Sequence, residues 1–495
     1  PIYFPALRIA VKLLGGDTDS RIRARLRERE GLAYSAGAYW LWRGIRPLRM
    51  KPLGRGLIIA LIVGVLFISP ATKVMRKGFT IEKMTEAMVT RLEPVIPWQF
   101  LIAYAHYESQ LAEMQAMIER SRNIPPIAGL RDAHAGEART LVLVIGESTS
   151  RLHMSLYGYG RDTSPKLTAM RDKLTVFDNI FSPRPYTIET LQQVLTFADQ
   201  ENPNLYLTRP SLMSIMQQAG YRTYWITNQQ TLTQRNTMLT SFSEQMDEQI
   251  YLNHNRSQNA YSFDGVVLEP FQRILEDGHP RRFIVVHLLG THMGYQYRYP
   301  SEFNIFKGRD NLPSWVTDSH LPLINEYDNA VLYNDHVVSS LIEKLASAGG
   351  KTMMTYFSDH GENLEISHNP DVFSFDMVRI PMWIYLSPTY QSALPGRTAT
   401  LRSHESRYFT NDMLYDTVSG LLNAPSSRYL EAQDLTSPGY AHSRADLTTM
   451  LGQQLIVRQA AHAGVERQDL GIGRVQQIEL IRPRKIDHAA RREDG

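Results

Sequence analysis

Three residues of this chain could together bind a metal ion, although they lie far apart in sequence. Glu147 ends an apolar run in Val-Ile-Gly-Glu-Ser, and Asp359 and His360 end another in Ser-Asp-His-Gly-Glu. Carboxylate oxygens with one or two imidazoles suit zinc or manganese. Asp-His-Gly is a weak signal by itself, but Glu147 strengthens it because Glu is a poor choice for a turn.

Thr187 is the candidate nucleophile. It lies between the turn Ser-Pro-Arg-Pro-Tyr at 182–186 and a helical pattern that continues to Leu195, which predicts an N-cap position. A helix N-terminus favours a bound phosphate, and a metal ion would lower the pKa of the hydroxyl. Read locally, the sequence favours the alternative that Thr187 only caps the helix.

Several histidines follow the same kind of apolar run. His287 and His292 occur in Val-His-Leu-Leu-Gly-Thr-His, and His368 follows the Asp-His pair by eight residues. As a group beside a metal they could bind a second ion, hold a phosphate or act as a general acid. Each one alone is more typical of a structural or surface histidine. His336, within a helical pattern at 327–338, is assigned a structural role together with the Asp residues there.

The elements that would position these side chains are short apolar runs alternating with helical patterns. This alternation predicts an α/β fold with a mostly parallel sheet sandwiched by helices. The runs are Thr140 to Ile145, Thr223 to Ile226, Phe283 to Val286, Met353 to Phe357 and Ile380 to Leu386. Four of them stop at polar residues, and ligands of such sheets collect beyond the carboxyl ends of the strands. One polar residue there is usually a turn or cap, but four with ligand chemistry indicate a site.

Length and composition exclude some functions. A chain of 495 residues can hold one large domain plus accessory segments. Its formal net charge of +3 gives no argument for a nucleic-acid partner, and we expect none. The absence of cysteine excludes disulfides, thiolate catalysis and zinc held by cysteine.

One apolar segment predicts a membrane helix at about residues 54–72, with basic residues on both sides. The run is short for a span of about 20 residues, and a buried core helix is the alternative. A slight excess of basic residues before the run places the N-terminus in the cytoplasm. We therefore expect a membrane region at 1–78, amphipathic helices and a linker at 79–138, a catalytic domain on the outer side of the membrane at 139–465 and a charged tail at 466–495. The start at Pro1 is typical of a processed or incomplete product.

Together these motifs resemble the phosphoethanolamine transferases of Gram-negative inner membranes, a branch of the alkaline phosphatase and sulfatase superfamily. The resemblance covers about residues 40–390 and rests on Leu-Val-Ile-Gly-Glu-Ser at 143–148, Leu-Tyr-Gly-Tyr at 156–159, Thr-Ser-Pro at 163–165, Thr187, Gly-Thr-His at 290–292 and Ser-Asp-His-Gly-Glu at 358–362. It implies an alkaline phosphatase-like fold preceded by a membrane helix, with the catalytic domain in the periplasm. Because members of the family normally have several membrane helices, it also implies that the membrane region at 1–78 is shortened.

The resemblance also implies roles for individual residues. The zinc ligands would be Glu147, Thr187, Asp359 and His360, with Thr187 transiently carrying phosphoethanolamine. A second zinc is implied near His292 and His368. Further catalytic positions would be His287, His292, His368 and Glu362, and Arg235 is the nearest candidate for the basic residue of the family.

The activity implied is transfer of phosphoethanolamine from phosphatidylethanolamine to a lipopolysaccharide sugar at the inner membrane. Arg-Pro-Tyr-Thr-Ile-Glu at 184–189 and the lack of cysteine look most like the branch that modifies a core heptose, whereas the lipid A branch has Pro-Cys where this chain has Gln192 and Gln193. Core heptose, lipid A and another surface glycan remain open as acceptors. The alternatives are a metal-dependent phosphodiesterase or hydrolase of the same superfamily, and an inactive truncated membrane protein. A sulfatase would need a Cys/Ser-x-Pro-x-Arg motif, which the chain lacks.

Overall fold

The computed structural model describes residue 119 and the ranges 123–230, 237–255, 260–312, 316–367 and 372–459. The predicted membrane helix, the charged tail, Arg235 and His368 lie outside these residues. Within them, no helix combines the length and apolar character needed to cross a bilayer.

The described residues form strands β1–β11 and helices α1–α9. The strands are β1 Arg139–Gly146, β2 Leu174–Phe177, β3 Asn179–Phe181, β4 Arg222–Gln230, β5 Glu248–Asn253, β6 Arg281–His287, β7 Lys351–Ser358, β8 Met382–Leu386, β9 Tyr408–Thr410, β10 Thr448–Thr449 and β11 Gln454–Leu455. The helices are α1 Pro165–Ala169, α2 Thr187–Val194, α3 Leu212–Gln218, α4 Thr237–Ser243, α5 Leu268–Leu275, α6 Leu321–Ala348, α7 Pro388–Ala393, α8 Pro395–Ser403 and α9 Leu414–Leu422.

Seven strands form the main sheet in the order β2-β8-β7-β1-β6-β4-β5. Strands β7, β1, β6, β4 and β5 pair in parallel, whereas β8 is antiparallel to both of its neighbours, β7 and β2. The carboxyl ends of the five parallel strands meet at one edge, called here the rim. Two small sheets, β3 with β9 and β10 with β11, lie apart from the main sheet.

Both faces of the sheet are covered. Alternate side chains of β1 enter two different cores, with Leu141 and Leu143 on one side and Val142 and Val144 on the other. Helices α2 and α9 contribute to the first core, and the long helix α6 contributes to the second. Every residue of β1 is buried, as expected for a central strand between two layers of helices.

The predicted α/β sandwich is confirmed, with corrections at the edges of the sheet. The run at 380–386 was expected among the parallel strands, but β8 starts at Met382 and runs antiparallel. Strands β2 and β5 were not predicted. Strand β2 has only four residues, although all of them are buried, and half of the six residues of β5 are polar.

Candidate active site

The two central strands β1 and β7 deliver the acidic residues to the rim side by side. Gly146 at the end of β1 lies opposite Ser358 at the end of β7. The next residue, Asp359, donates its backbone N–H to the carbonyl of Gly146 at 2.9 Å. Glu147 and Asp359 therefore leave the sheet together, and both are almost fully buried.

Glu147, Asp359 and His360 form one compact group, with a possible ligand atom from each lying within 4.8 Å of the others. The Nε2 atom of His360 is 3.4 Å from Oε1 of Glu147 and 3.7 Å from Oδ2 of Asp359. Its Nδ1 lies 2.7 Å from the carbonyl of Gly361, a hydrogen bond that fixes the ring orientation. A ring held in this way presents Nε2 as a metal ligand.

The hydrogen bonds of Asp359 test whether the group fits a cation. Its Oδ1 accepts the backbone N–H of Ser148 at 3.0 Å and that of His360 at 2.7 Å. Its Oδ2 is buried and has no hydrogen-bond donor among the described residues. A buried carboxylate oxygen that accepts no hydrogen bond is costly, and a metal ion would offset that cost. The donor set therefore fits a divalent metal.

The protonation of the group follows from its burial and its charges. Burial raises the pKa of the Asp359 carboxyl, and the Glu147 carboxylate raises it further, to about 8. Burial alone would lower the pKa of His360, but Asp359 and Glu147 raise it to about 10. Burial opposes ionisation of Glu147, yet the hydrogen bond from His360 and the charge of His292 keep its pKa well below its usual range. A metal ion would therefore compete with protons on Asp359 and His360.

Thr187 reaches this group from outside the sheet. Its Oγ1 donates a hydrogen bond to Oε2 of Glu147 at 3.0 Å. The predicted N-cap position is wrong by one residue, because the cap is Tyr186, whose backbone is still extended, and Thr187 is the first residue of α2. Its hydroxyl is thus directed at Glu147 and does not cap the helix.

Two side chains that hold Glu147 were not predicted from the sequence. Gln229 donates Nε2 to Oε2 of Glu147 at 3.2 Å and to the carbonyl of Leu288 at 2.8 Å. Ser148 donates its hydroxyl to Oε1 of Glu147 at 2.9 Å. Strand β4 was expected to stop near Ile226, but it continues to Gln230, which brings Gln229 to the rim.

The rim also requires close backbone contact at Gly290. This residue has φ +53°, and a Cβ there would lie 2.8 Å from the carbonyl oxygen of Glu147. The turn is held by Asp264, which accepts the N–H of Leu289 at 2.9 Å and that of Gly290 at 2.7 Å. Glycine is needed because any side chain would push this turn away from Glu147.

Helix α6 supports the turn that follows Glu147. The hydroxyl of Tyr327 donates to the carbonyl of Ser148 at 2.7 Å and accepts the N–H of Ser150 at 2.8 Å. Ser148 has φ +54°, a left-handed conformation that is uncommon outside glycine. Tyr327 thus holds an unusual turn next to the group formed by Glu147, Asp359 and His360.

The other predicted catalytic residues differ in how deeply they are buried. His292 is half-buried, and its charge acts on Glu147. Glu362 is buried and accepts a hydrogen bond from the hydroxyl of Tyr295. His287 is fully buried at the end of β6, where burial lowers its pKa to about 4. A neutral His287 does not favour a role as general acid. The roles of all three remain predictions.

A cleft of about 510 Å³ lies between the segments 293–295 and 364–367 and residues Leu323 and Glu326 of α6. Tyr295 lines it and packs edge-on against Tyr327, with their ring centroids 4.9 Å apart. The charged side chains that line the cleft are both carboxylates, Glu326 and Glu365. The cleft is therefore suited to a positively charged group.

Comparisons with known proteins place this geometry in context. Residues 139–424 match the sulfatase family model. The chain is 46% identical over 376 residues to the phosphoethanolamine transferase EptC of Escherichia coli, covering 74% of this chain and 65% of that protein. It is 43% identical over 422 residues to the phosphoethanolamine transferase CptA of Salmonella typhimurium, covering 83% of this chain and 72% of that protein. The chain thus spans about two-thirds of the length of the E. coli relative.

A solved structure is similar over the same region. The C-terminal periplasmic domain of E. coli EptC in complex with zinc superposes with a TM-score of 0.62 at 43% identity. The match covers 67% of this chain and 99% of that domain.

Proposed function

Because this chain belongs to the sulfatase family and, within it, to the phosphoethanolamine transferases, we propose that it transfers phosphoethanolamine from phosphatidylethanolamine to a lipopolysaccharide sugar. The observation that carries the proposal is the hydrogen bond from the Thr187 hydroxyl to Glu147, inside a buried group fit for a metal. The family and the site geometry support the same chemistry. A core heptose is the acceptor we favour.

We propose zinc as the metal, with Glu147, Asp359, His360 and the Thr187 hydroxyl as its ligands. The zinc complex of the E. coli EptC domain supports this choice. Zinc, when bound, would lower the pKa of the Thr187 hydroxyl and offset negative charge on the phosphate. The buried Oδ2 of Asp359, which has no donor among the described residues, is the atom most in need of such an ion.

The reaction then consists of two successive displacements at phosphorus, in which different residues have different roles. Glu147 orients Oγ1 of Thr187 and takes its proton, while Oγ1 forms a bond to phosphorus and the bond from phosphorus to the diacylglycerol oxygen breaks. The N-terminus of α2 faces the phosphate with its positive dipole end. In the second displacement the sugar hydroxyl forms a bond to phosphorus, the bond from phosphorus to Oγ1 of Thr187 breaks, and Glu147 returns the proton to that oxygen. We assign His292 to protonate the departing diacylglycerol oxygen and to take the proton of the sugar hydroxyl.

The cleft lined by Tyr295, Glu326 and Glu365 supports ethanolamine as the group that is carried. Its two carboxylates would attract the ammonium, and the ring of Tyr295 would give it an aromatic wall. Burial raises the pKa of Glu326, and a bound cation would oppose that rise. A phosphoryl group without a positive charge would gain nothing from these residues.

We further propose that the catalytic domain faces the periplasm and is anchored at the inner membrane. The E. coli relative of known structure is a periplasmic domain, and the predicted helix at about 54–72 would supply the anchor. The lipid donor requires this arrangement, because its phosphate must reach the rim of the sheet from a bilayer.

The experiment that tests the proposal replaces Thr187 in the protein with alanine and, as a matched control, with serine. We expect Thr187→Ala to abolish diacylglycerol release from phosphatidylethanolamine and Thr187→Ser to retain part of it, because only serine keeps a hydroxyl. Zinc content is measured in both variants. Mass spectrometry of the unaltered protein with donor alone should find phosphoethanolamine on Thr187.

Continued diacylglycerol release by Thr187→Ala would contradict the mechanism. Release of free phosphoethanolamine at a rate unaffected by added lipopolysaccharide would instead identify a hydrolase.

A further inference from the structure

The loop that leads into α2 depends on a distant part of the chain. This nucleophile loop, residues 182–186, contains Pro183 and Pro185, which have no backbone N–H. Ser182 donates its N–H to the carbonyl of Val378 at 2.7 Å, and its hydroxyl donates to the carbonyl of Arg184 at 2.9 Å. The carbonyls of Ser182 and Pro183 take their donors from elsewhere.

Those donors come from residues 448–455, called here the C-terminal strap, which consists of β10, a turn and β11. The hydroxyl of Thr449 lies 3.0 Å from the carbonyl of Ser182 and 2.9 Å from that of Pro183. The N–H of Met450 donates to the carbonyl of Pro183 at 2.9 Å. Thr449 is completely buried, so water cannot replace its hydroxyl without a rearrangement.

The strap also holds the far end of the nucleophile helix. The N–H of Leu451 donates to Oε1 of Gln200 at 2.7 Å. Gln200 in turn donates its Nε2 to Oε1 of Gln193 at 2.9 Å, and Gln193 is a buried residue of α2. Through these hydrogen bonds, three successive strap residues hold both the loop before the helix that carries Thr187 and the last turn of that helix.

The turn of the strap is held in an unfavourable backbone conformation. Met450 and Leu451 both have φ +56°, in the left-handed region that residues with a side chain rarely adopt. Such conformations persist where the surroundings enforce them, and they are common at functional sites. Here the surroundings are the nucleophile loop and Gln200.

The base of the strap is anchored independently of its tip. Leu447 and Ile456, on either side, are buried in the core that also contains Leu191 and Val194 of α2. The N–H of Ile456 donates to the carbonyl of Leu447 at 3.1 Å. A change confined to the hydroxyl of Thr449 should therefore leave the strap in place.

We infer that the C-terminal strap is a positioning element for the nucleophile, with Thr449 as its principal residue. This inference rests on the proposed function of Thr187. By fixing the carbonyls of Ser182 and Pro183, Thr449 sets where α2 begins and thus where the Thr187 hydroxyl meets Glu147. Displacement of a reacting group by about 1 Å can cost about a hundredfold in rate. We expect about tenfold for the loss of this single hydroxyl.

The test replaces Thr449 with valine, which has nearly the same shape and no hydroxyl. The matched control is Thr448→Val, because the neighbouring residue points to the opposite face of the strand. Thr449→Val should lower kcat for diacylglycerol release about tenfold and leave KM for phosphatidylethanolamine and zinc content unchanged. Thr449→Ser should restore kcat, since serine keeps the hydroxyl.

A second measurement separates this inference from the proposed function. Hydrogen exchange of the backbone amides at 186–191 should be faster in Thr449→Val than in the unaltered protein or in Thr448→Val. Equal kcat in the two valine variants, or a loss that Thr449→Ser does not restore, would overturn the inference. If the unaltered protein transferred nothing, the proposed function would fail, and unchanged exchange in Thr449→Val would then overturn the role of the strap.

Discussion

At the scale of single residues, the site combines groups whose charges conflict unless a cation joins them. Glu147 and Asp359 are buried side by side, and the pKa of Asp359 is raised as a result, first by burial and then by the Glu147 charge. The same two carboxylates raise the pKa of His360. Thr187 enters this environment through one hydrogen bond, so its reactivity depends on its neighbours more than on its own sequence context.

Replacing Glu326 tests whether the cleft binds the ammonium of the transferred group. Glu326→Gln should raise KM for phosphatidylethanolamine several-fold, on the order of the 0.5–1 kcal/mol expected of a partly exposed charge pair, because it removes one of two carboxylates facing the cleft. The control is Glu343→Gln, an exposed residue on the same helix, 17 residues further along. Initial rates of diacylglycerol release would measure both. An equal KM in the two variants would show that the cleft does not hold the ammonium.

Glu147 and Asp359, two of the proposed metal ligands, could be brought together from sequence because each directly follows a strongly apolar central strand. Glu147 and Asp359 stand where β1 and β7 end in register, so a correct pair of strands suffices to bring them together. Gln229 could not be predicted in this way. It belongs to a polar extension of β4 past a register irregularity, and nothing in Thr-Asn-Gln-Gln distinguishes a strand from a loop.

At the scale of elements, the site is built from parts with different origins. The sheet supplies Glu147 and Asp359, the helix α2 supplies Thr187, and α6 steadies the turn after Glu147 through Tyr327. The pattern at 327–338 correctly predicted a helix with structural Asp residues: Asp328 binds Arg161 at 2.8 Å and Asp335 accepts the N–H of Leu167 at 2.9 Å. It did not reveal that Tyr327 reaches the site, because a buried Tyr in a helix usually only packs.

Tyr327→Phe tests the link between α6 and the site. Losing the hydroxyl leaves the buried carbonyl of Ser148 and N–H of Ser150 without this partner, which should lower the free energy of unfolding by about 1–3 kcal/mol. It should also weaken zinc binding, because the turn of Ser148 holds Glu147. Denaturant unfolding and competition with a zinc chelator would measure the two effects.

The control for that change is Tyr390→Phe on α7. The buried hydroxyl of Tyr390 donates to the carbonyl of Leu421 at 2.7 Å, and α7 follows the antiparallel strand β8, which ends at the edge of the sheet opposite the rim. This variant should lose stability without losing zinc affinity. Equal zinc affinities in the two variants would mean that Tyr327 contributes only to stability.

At the scale of the whole molecule, the family prediction is confirmed by the relatives, and the sheet carries the site as expected. The membrane helix and the domain boundaries remain predictions. The edge strands β2 and β5 were not predicted because β2 is short and β5 contains many polar residues. The central strands could be predicted because their buried residues form continuous apolar runs in the sequence.

Metal binding should govern the stability of the molecule, and the effect should grow with pH. In the metal-free protein, Asp359 with a pKa of about 8 and His360 with one of about 10 bind protons more tightly than in the unfolded chain. The free energy of unfolding therefore falls as pH rises from about 4 to about 10. Because the pKa of Glu147 is lowered, this residue contributes to the free energy of unfolding at neutral pH and loses that contribution as pH falls into the acid range. Zinc binding needs the protons removed, so its affinity rises with pH.

The expected result is that the difference in melting temperature between zinc-loaded and chelated protein widens from about pH 6 to about pH 9. Calorimetry at several pH values, with and without a chelator, would measure it. A difference that stays constant or narrows would argue against Asp359 and His360 as ligands.

The place of the strap after residue 424 has a practical consequence for anyone who produces this protein. The family match ends there, and a recombinant fragment trimmed to it would look like a complete domain. It would lack Thr449, which donates to the nucleophile loop, and Ile456, which belongs to the core. Such a fragment would be a poor specimen for crystallisation or inhibitor screening, and a boundary at residue 459 or later is the better choice.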